Sequence, residues 1–120
     1  MNTETYYTIS VTEIRLRSIG KIFHFMRQVK QIRKQMEAAP GMKKYALHPN
    51  GLTVFNTISA WESDEAMYAF MRSGAHAQAM KEVKVVAAAT RYTRRRNVAF
   101  PDKTEARKWL NEDMPTPLYK

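Results

Sequence analysis

Two side chains that could take part in catalysis or ligand binding lie at opposite ends of one short predicted helix. The segment 56–79 contains a strand that ends at Trp61, a helix start with two carboxylates, and then His76. An imidazole can accept a proton or bind a metal near neutral pH, and an indole can stack on a planar ligand. Trp61 also has a second interpretation, as a packing anchor between a sheet and a helix. Trp61 and His76 are therefore the first candidates for a functional site.

His76 lies in the first turn of a predicted helix, directly after a helix break expected at Gly74. The positive end of the helix dipole disfavours an imidazolium there, so a neutral ring is expected. Such a ring acts as a general base, as an axial ligand of haem, or only as a capping or packing group. His24 and His48 have no partners at metal-ligand spacing, so the sequence predicts no zinc or non-haem iron site.

Strands are predicted where β-branched and aromatic residues alternate with others. This pattern occurs four times, at residues 6–16, 42–47, 52–61 and 88–98. The second and third strands are separated by His48-Pro49-Asn50-Gly51, and an Asn-Gly pair is a strong hairpin signal. We therefore expect these two strands to be neighbours.

Helices are predicted between the strands. The first has Ser18 as its cap and ends before Pro40, and the second has Ser63 as its cap with two carboxylates in its first turn. After Gly74 the second helical region restarts and runs over residues 75–86. We therefore expect that region to be bent or split.

The first helix has two dissimilar sides. Apolar positions at three- and four-residue spacing predict its packed side, and they are Ile19, Ile22, Phe23, Met26, Val29 and Met36. The other side carries Lys21, Arg27, Lys30, Arg33 and Lys34. A solvated face is the simplest interpretation of these cations, and an anion-binding surface is the alternative.

The order strand, helix, strand, strand, helix, strand is the ferredoxin-like βαββαβ arrangement, an α+β fold with two helices on one face of four antiparallel strands. A capping box at Asp102 and Glu105 adds a C-terminal helix. We expect a single domain over residues 1–120, with its core at about 6–98 and the C-terminal helix and a loose tail at 101–120.

The third predicted strand is apolar or aromatic on both faces. One set of alternate residues is Leu52, Val54 and Ile58, and the other is Thr53, Phe55, Thr57 and Trp61. Neither face suits water, so something must cover the face opposite the helices. A second copy, packed sheet against sheet, predicts a homodimer whose two sheets curl into a barrel.

Composition excludes several functional classes. The 120 residues contain no cysteine, which rules out thiolate catalysis and cysteine-held metal sites. A net charge of +9 favours acidic small molecules, anionic surfaces or nucleic acid as partners. No long apolar run predicts a membrane span and no leader is recognisable, so a cytoplasmic protein is expected. Without a Gly-x-Gly-x-x-Gly fingerprint, tightly bound NAD or FAD is not expected.

Three segments carry a family resemblance. They read RKQMEAAPGM at 33–42, FNTISAWES at 55–63 and AFMRSGAH at 69–76. The chain resembles the antibiotic-biosynthesis-monooxygenase-like, dimeric α+β barrel superfamily over about residues 6–94. Within it, the chain is similar to spheroidene monooxygenase-like and uncharacterised bacterial members.

The resemblance implies a homodimer with a pocket between the concave sheet face and the helices of each protomer. Members include cofactor-independent oxygenases of aromatic polyketides and haem-degrading or haem-dependent proteins, so the implied cofactor is either none or haem. In the polyketide oxygenases an Asn, a Trp and an Arg position a phenolic substrate. Asn56 and Trp61 lie on the equivalent strand here, so the predicted catalytic residues are His76, Trp61 and Asn56.

Six further residues form the predicted ligand-binding set. Aromatic walls come from Tyr7, Phe55 and Tyr92, adaptable apolar contacts from Met67 and Met71, and a cation from Arg91. Because neighbouring residues of a strand point to opposite faces, Arg91 and Tyr92 cannot both face the pocket. The sequence leaves open which of the two does.

The function predicted from these observations is oxidation of a hydrophobic, planar or anionic small molecule by a monooxygenase. A non-catalytic ligand-binding or interaction module is the alternative. Nucleic-acid binding is a weaker alternative, since the RNA-recognition motif shares this order of elements but needs a basic residue and alternating aromatics on its third strand. Residues 51–56 carry one aromatic and no basic residue, although arginines at 91 and 94–96 would suit phosphate.

Overall fold

The computed structural model describes residues 5–119 of the chain. Its strands are β1 (Tyr7–Leu16), β2 (Met42–Pro49), β3 (Val54–Trp61), β4 (Ala87–Asn97) and β5 (Leu118–Tyr119). Its helices are α1 (Ile22–Ala38), preceded by a 3-10 turn (Ile19–Lys21), then α2 (Asp64–Met71), α3 (Gly74–Lys81), α4 (Val83–Val86) and α5 (Lys103–Asp113). The strands of this part of the chain form one antiparallel sheet in the order β2-β3-β1-β4-β5.

The helices lie on both faces of this sheet. Helices α1 to α4 cover the face to which Phe55 and Trp61 point, through core clusters that include Phe25, Met67 and Val86. We call it the helix face, and its opposite the second face. The order and pairing of β1 to β4 confirm the predicted ferredoxin-like α+β fold, and α5 is the additional C-terminal helix.

Two of the three predicted helix caps are confirmed. Ser63 accepts a hydrogen bond from the amide of Ala66 at 3.1 Å, and Asp102 accepts one from the amide of Glu105 at 2.8 Å. The prediction that Ser18 caps α1 is wrong, because a 3-10 turn intervenes and the Ser18 side chain makes no capping hydrogen bond. The helical region after Ser63 is split, as predicted, with Gly74 at a φ of +59° where α3 begins.

The packed side of α1 differs from the prediction. Ile19, Phe23 and Met26 are exposed, and Phe23 keeps 83% of its surface. At about 100° of rotation per residue, Phe23 lies about 160° around the helix from Phe25, whose side contacts the sheet. Three- and four-residue spacing therefore fits two sets of apolar residues on α1, one that includes Phe23 and one that includes Phe25. Only the set with Phe25 faces the sheet.

The second face is covered by α5 within the same chain. Ala106, Trp109 and Leu110 of α5 pack on Ile9 and Ile58 of the sheet in one buried cluster. The expectation that a second copy must cover these residues is corrected, because the apolar edge of α5 covers them. The homodimer itself stays a prediction.

The sequence predicts a loose segment from Pro115 to Pro117, and these residues lie in neither a helix nor a strand. The chain returns to the sheet after Pro117, where Leu118 and Tyr119 pair with Thr90 and Ala89 of β4 as the short strand β5, which the sequence did not predict. Hydrogen-bonded pairing fixes this part of the tail at the edge of the sheet.

Candidate functional site

A cavity of about 110 Å³ lies between the helix face of the sheet and helices α1 to α4. Its walls are mainly apolar, with Phe25, Val29 and Ile32 from α1 and Ala79 and Met80 from α3. Small-molecule sites are typically apolar clefts of this kind with a few placed polar groups. The chemistry of the cavity therefore depends on its few polar side chains.

Four hydroxyl groups form a ladder along the floor of the cavity. Ser10 of β1 is paired with Ser59 of β3, and Thr12 is paired with Thr57, so all four side chains lie on the helix face. Cross-strand neighbours of this kind have their Cβ atoms about 5 Å apart. The floor can therefore donate hydrogen bonds to, or accept them from, oxygen substituents of a ligand.

Trp61 closes one end of this ladder. Its side chain is 1% exposed, and its indole Nε1–H donates a hydrogen bond to Ser59 Oγ at 2.9 Å. Its ring lies 5.0 Å from the ring of Phe70, tilted by 36°. The indole is thus fixed by packing and by one hydrogen bond while it lines the cavity. The two interpretations of Trp61, packing anchor and ligand platform, are compatible in this position.

His76 is held at the break between α2 and α3. Its Nδ1 lies 3.2 Å from the backbone oxygen of Met71, and its ring centroid lies 5.0 Å from that of Phe70. A carbonyl oxygen can only accept, so Nδ1 carries the proton in this hydrogen bond. In a neutral ring, Nε2 is then the nitrogen with the free lone pair. His76 is therefore set up to accept a proton at Nε2.

Burial lowers the pKa of His76 below its usual 6.5, because it removes water from the imidazolium. The hydrogen bond to Met71 favours the charged ring and opposes this effect, but it is the smaller of the two. The ring is thus neutral at pH 7, as expected from the sequence, although burial is the cause that the structure adds. A neutral imidazole is the form that works as a general base.

A larger cleft of about 570 Å³ adjoins the cavity on the side of β4. Met71, His76 and Met80 line both spaces, so the imidazole lies where they adjoin. Met67, Tyr92 and Arg94 line only the cleft. Its volume falls within the roughly 300–1,000 Å³ of ordinary ligand sites. A ligand held in the cleft can therefore present one edge to His76.

The structure brings five of the predicted site residues to these two spaces. Trp61, Met71 and His76 line the cavity, and Met67, Met71, His76 and Tyr92 line the cleft. Between Arg91 and Tyr92, it is Tyr92 that lies on the helix face. The sequence left open which of these two residues faces the pocket, and the structure shows that Tyr92 does. The roles of the predicted site residues stay predictions.

The other four predicted site residues line neither space. Asn56 and Arg91 lie on the second face, Tyr7 packs beside the core cluster under α5, and Phe55 is buried against Phe25 with ring centroids 4.8 Å apart. Asn56 and Trp61 are five positions apart in one strand, an odd interval, so their side chains point to opposite faces. They cannot orient one ligand together.

Asn56 and Arg91 instead belong to a buried polar network. Arg91 pairs with both carboxylate oxygens of Glu13 at 2.9 and 3.0 Å, and Asn56 Nδ2 donates to Glu13 Oε2 at 3.3 Å. Arg91 also donates to Asn111 Oδ1 of α5 at 2.7 Å. This network ties β1, β3 and β4 to the C-terminal helix. Its contacts account for these side chains without a ligand.

The sequence did not single out the hydroxyl ladder or Arg94 as a cleft residue. Serine and threonine are common in strands, and the ladder becomes visible only when the register of β1 on β3 is known. Arg94 is one of four arginines between residues 91 and 96, and the sequence alone does not indicate which of them lines a pocket. The two-residue alternation from Tyr92 to Arg94 is the signal that places both on one face.

The residues present do not fit haem, which is one of the two cofactor alternatives that the resemblance implies. His76 offers one nitrogen ligand, but the cavity of about 110 Å³ is smaller than a cavity of ~150 Å³ that holds a single benzene, so haem would have to lie in the cleft of about 570 Å³. The cation of the cleft, Arg94, is engaged by Asp64 at 3.3 Å and by the Tyr68 hydroxyl. The reaction proposed for this site therefore involves no haem.

No group of three or more His, Cys, Asp or Glu side chains within residues 5–119 is arranged to hold a metal ion. None of the helices described is long and apolar enough to cross a membrane.

Solved structures share this fold at low sequence identity. A protein from Shewanella oneidensis has a TM-score of 0.71 at 10% identity, covering 82% of this chain and 98% of that one. A protein from Pseudomonas aeruginosa has a TM-score of 0.70 at 14% identity, covering 82% and 100%. SnoaB, a cofactor-independent oxygenase from Streptomyces nogalater, has a TM-score of 0.60 at 9% identity, covering 84% and 98%.

Sequence comparison gives the family. No curated protein matches the chain. Residues 9–82 match the model of the family described as antibiotic biosynthesis monooxygenase, a span that contains the hydroxyl ladder, Trp61 and His76. Because the match covers more than half of the 120 residues, the chain belongs to the antibiotic biosynthesis monooxygenase family.

Proposed function

We propose that the chain binds a hydrophobic, planar small molecule between sheet and helices and oxidises it with molecular oxygen, without a bound cofactor. The observation that carries this proposal is the placement of His76. Its Nδ1 is committed to Met71, and its ring lines both the cavity and the cleft. Nε2 is thus available as a base beside the space where a ligand fits.

The shape of the site favours a flat substrate with oxygen substituents. The cavity alone is too small for a ring system, so most of the molecule would lie in the cleft against Met67, Met71 and Tyr92. Methionine side chains adapt to planar ligands and make favourable contacts with aromatic rings. The edge that enters the cavity would meet Ser10 and Thr12, which line both spaces and can hydrogen-bond hydroxyl or keto groups.

The reaction needs a substrate that is itself the reductant. Nε2 of His76 takes the proton from an acidic C–H or O–H group, which leaves an electron-rich anion of the substrate. That anion transfers electrons to molecular oxygen. In sum, one ring CH2 group and one O2 give one C=O group and one water. The apolar walls keep bulk water out of the site and leave the imidazole neutral before the reaction.

Trp61 has a positioning role in this proposal. Its indole is fixed by Ser59 and Phe70, so it holds the end of the ladder in one geometry and limits how far a ligand enters. Asn56 and Arg91 have no part in it, because both lie on the second face in contact with Glu13.

Oxygen uptake with a panel of tricyclic anthrones and naphthols tests the proposal. We expect His76→Gln to lower kcat by about 100-fold, the usual lower range for losing a general base, with little change in KM. His24→Gln is the matched control, since His24 is exposed on α1 and lies outside both spaces. Equal oxygen uptake by the wild type and His76→Gln, with both proteins folded, would overturn the assignment.

A non-catalytic binding module is the second candidate. It is favoured by one observation: within residues 5–119, every buried side-chain nitrogen or oxygen already has a hydrogen-bond partner. Calorimetry with the same panel separates the two. Ligand binding that Met71→Ala weakens, with no oxygen uptake by the wild type, supports a module.

Members of this family are commonly dimeric. We infer that this chain also forms a homodimer, and light scattering after gel filtration tests the inference. A dimer has twice the chain mass of 14.0 kDa. A mass of one chain at micromolar concentration would contradict it.

A further inference from the structure

The outer side of α1 combines exposed apolar residues with a row of cations. Phe23, Arg27, Lys30 and Lys34 follow one another at intervals of four, three and four residues, and all four are exposed. At ~1.5 Å of rise per residue, the row spans about 16 Å along one side of the helix. Ile19, one turn before Phe23, is also exposed. We call these five residues the outer ridge of α1.

The cations of the outer ridge have no acidic partners. Among residues 5–119, the ion pairs involve only arginines of β4, so Arg27, Lys30 and Lys34 belong to none of them. The single carboxylate of α1 is Glu37, which accepts a hydrogen bond from the Tyr45 hydroxyl at 2.7 Å. The ridge therefore presents uncompensated positive charge to its surroundings.

The apolar end of the ridge is part of a larger apolar tip. Phe23 is 83% exposed, Leu52 67% and Ile19 57%. Leu52 lies at this end of the molecule because its neighbour Thr53 accepts a hydrogen bond from the amide of Leu16, where β1 leaves the sheet. Val85 lies there too, since the amide of Arg17 donates to Val86. Exposed aromatic and aliphatic side chains therefore gather where the row of cations begins.

We propose that this surface docks on an anionic lipid membrane. Ile19, Phe23 and Leu52 would enter the boundary between headgroups and acyl chains, and the cations of the ridge would contact the lipid phosphates. Interfacial helices combine these two features, bulky apolar residues that insert and Lys or Arg that face anionic lipid. Aliphatic Ile19 and Leu52 add nothing to the binding of a nucleic acid, whereas both gain by burial in lipid. The positive charge of the ridge is complementary to a phosphatidylserine-containing surface.

Vesicle sedimentation at physiological salt tests the proposal. The full chain should bind vesicles of phosphatidylcholine with 30% phosphatidylserine and should bind pure phosphatidylcholine at least about tenfold more weakly. The ridge variant Arg27→Gln/Lys30→Gln/Lys34→Gln should lose roughly 100-fold in affinity for the anionic vesicles, since each cation near such a surface contributes about fivefold. Phe23→Ala should lose about tenfold, and its exposure means that folding is not affected.

The matched control is Lys103→Gln/Arg107→Gln/Lys108→Gln. These three side chains are exposed on α5, so the control removes the same charge from another surface. We expect it to keep its affinity within about threefold, since only cations close to the membrane contribute. An equal loss in both triple variants would show attraction by net charge alone and would overturn the proposal.

Other occupants of the ridge give different results. If vesicles do not bind and a single-stranded RNA homopolymer binds through Arg27, Lys30 and Lys34, the surface is a nucleic-acid site and the proposal is wrong. If Phe23→Ala converts a dimer to a monomer, the ridge is an interface between copies, and the proposal is wrong as well. None of these measurements of vesicle binding, RNA binding and oligomeric state uses oxygen uptake, so their outcome is independent of the proposed oxidation.

Discussion

Gln35 of α1 holds the backbone of His76 in place across the gap between two helices. Its Oε1 accepts a hydrogen bond from the amide of His76 at 2.8 Å, while its Nε2 donates to the backbone oxygens of Phe70 at 3.1 Å and Ser73 at 2.6 Å. One amide side chain thus satisfies the end of α2 and the start of α3. Gly74 permits this approach, since an added Cβ would lie 3.1 Å from Gln35 Cδ at a φ of +59°. The position of the candidate base therefore depends on a residue of another helix.

Replacing Gln35 with leucine should destabilise the protein by about 2 kcal/mol. The substitution leaves the His76 amide without its partner, and an unsatisfied group that is not reached by water costs about 1–3 kcal/mol. The carbonyl groups of Phe70 and Ser73 keep hydrogen bonds from the amides of Ser73 and Ala77. Urea unfolding followed by circular dichroism measures the change. Gln31→Leu is the control, one turn earlier on the same helix and exposed. Equal stability of Gln35→Leu and Gln31→Leu would show that these hydrogen bonds contribute little.

The pH dependence of activity and stability should report the buried imidazole. Because the pKa of folded His76 lies below 6.5, kcat/KM should be on its plateau at neutral and alkaline pH and should fall with an apparent pKa below 6.5. The unfolded chain binds a proton at His76 as pH falls below about 6.5, while the folded chain does not, so stability falls as pH decreases through that window. His76→Gln should reduce the fall of Tm between pH 7 and pH 5. An unchanged fall would assign the effect to other groups.

The contact between Trp61 and Ser59 predicts unequal effects of two substitutions. Trp61→Phe removes the indole N–H and part of a buried ring, leaving a gap and an unpaired Ser59 hydroxyl, and should cost about 2–3 kcal/mol. Ser59→Ala removes only the acceptor and should cost about 1–2 kcal/mol, since the indole N–H is then unpaired. Double-mutant analysis by urea unfolding gives the coupling between them. A coupling near zero would mean that the hydrogen bond has no net effect on stability.

Much of this fold was predictable because its signals are local. Alternation, the Ser63 cap and the Gly74 break predicted β1 to β4 and the helices between them, and these elements are confirmed, although the predicted Ser18 cap is not. The inward side of α1 was not predictable, because Phe23 and Phe25 both satisfy helical spacing and only the sheet decides between them. The cover of the second face also depended on a long-range contact, the docking of α5. The cytoplasmic location and the narrower place within the family stay predictions.

The candidate site was predictable only in part, for a related reason. Trp61 and His76 were visible as residue types beside a strand end and a helix start. Asn56 was assigned to the same site by analogy, and strand alternation alone argues against that pairing. The partner of each hydroxyl and the role of Gln35 depend on register and on helix packing, which composition and spacing do not contain.

A haem titration should leave the Soret band as it is for free haem. The cavity of about 110 Å³ is too small for the macrocycle, and in the adjoining cleft of about 570 Å³ the cation that could pair with a haem carboxylate, Arg94, is already paired with Asp64. Absorption spectra of the wild type and of His76→Ala with one equivalent of haem measure this. A stoichiometric Soret shift that disappears in His76→Ala would make His76 a haem ligand, and the cofactor-independent proposal would fail.

The ion pair of Glu13 and Arg91 should contribute far more to stability than that of Arg95 and Asp113. The side chains of Arg91 and Glu13 are 11% and 8% exposed, whereas those of Arg95 and Asp113 are both 33% exposed. Arg91→Met leaves the buried Glu13 carboxylate without its cation and should cost about 3–5 kcal/mol, whereas Arg95→Met should cost at most about 1 kcal/mol. Thermal unfolding at pH 7 compares the two variants. Equal losses would contradict the assignment of the Glu13 pair to the interior.

The same pair contributes to the loss of stability in acid. Burial raises the pKa of Glu13, but hydrogen bonds from Arg91 and Asn56 and the charge of Arg91 lower it more, so the pKa of the folded state lies below 4.5. A carboxyl group with a lowered pKa stabilises the fold above its unfolded pKa, and this contribution is lost as pH falls through the folded pKa. Stability should therefore decline below about pH 4.5 in the wild type. Glu13→Gln should start from a lower Tm at pH 7 and decline less steeply in acid. A Glu13→Gln curve parallel to that of the wild type would show that Glu13 keeps an ordinary pKa in the folded protein.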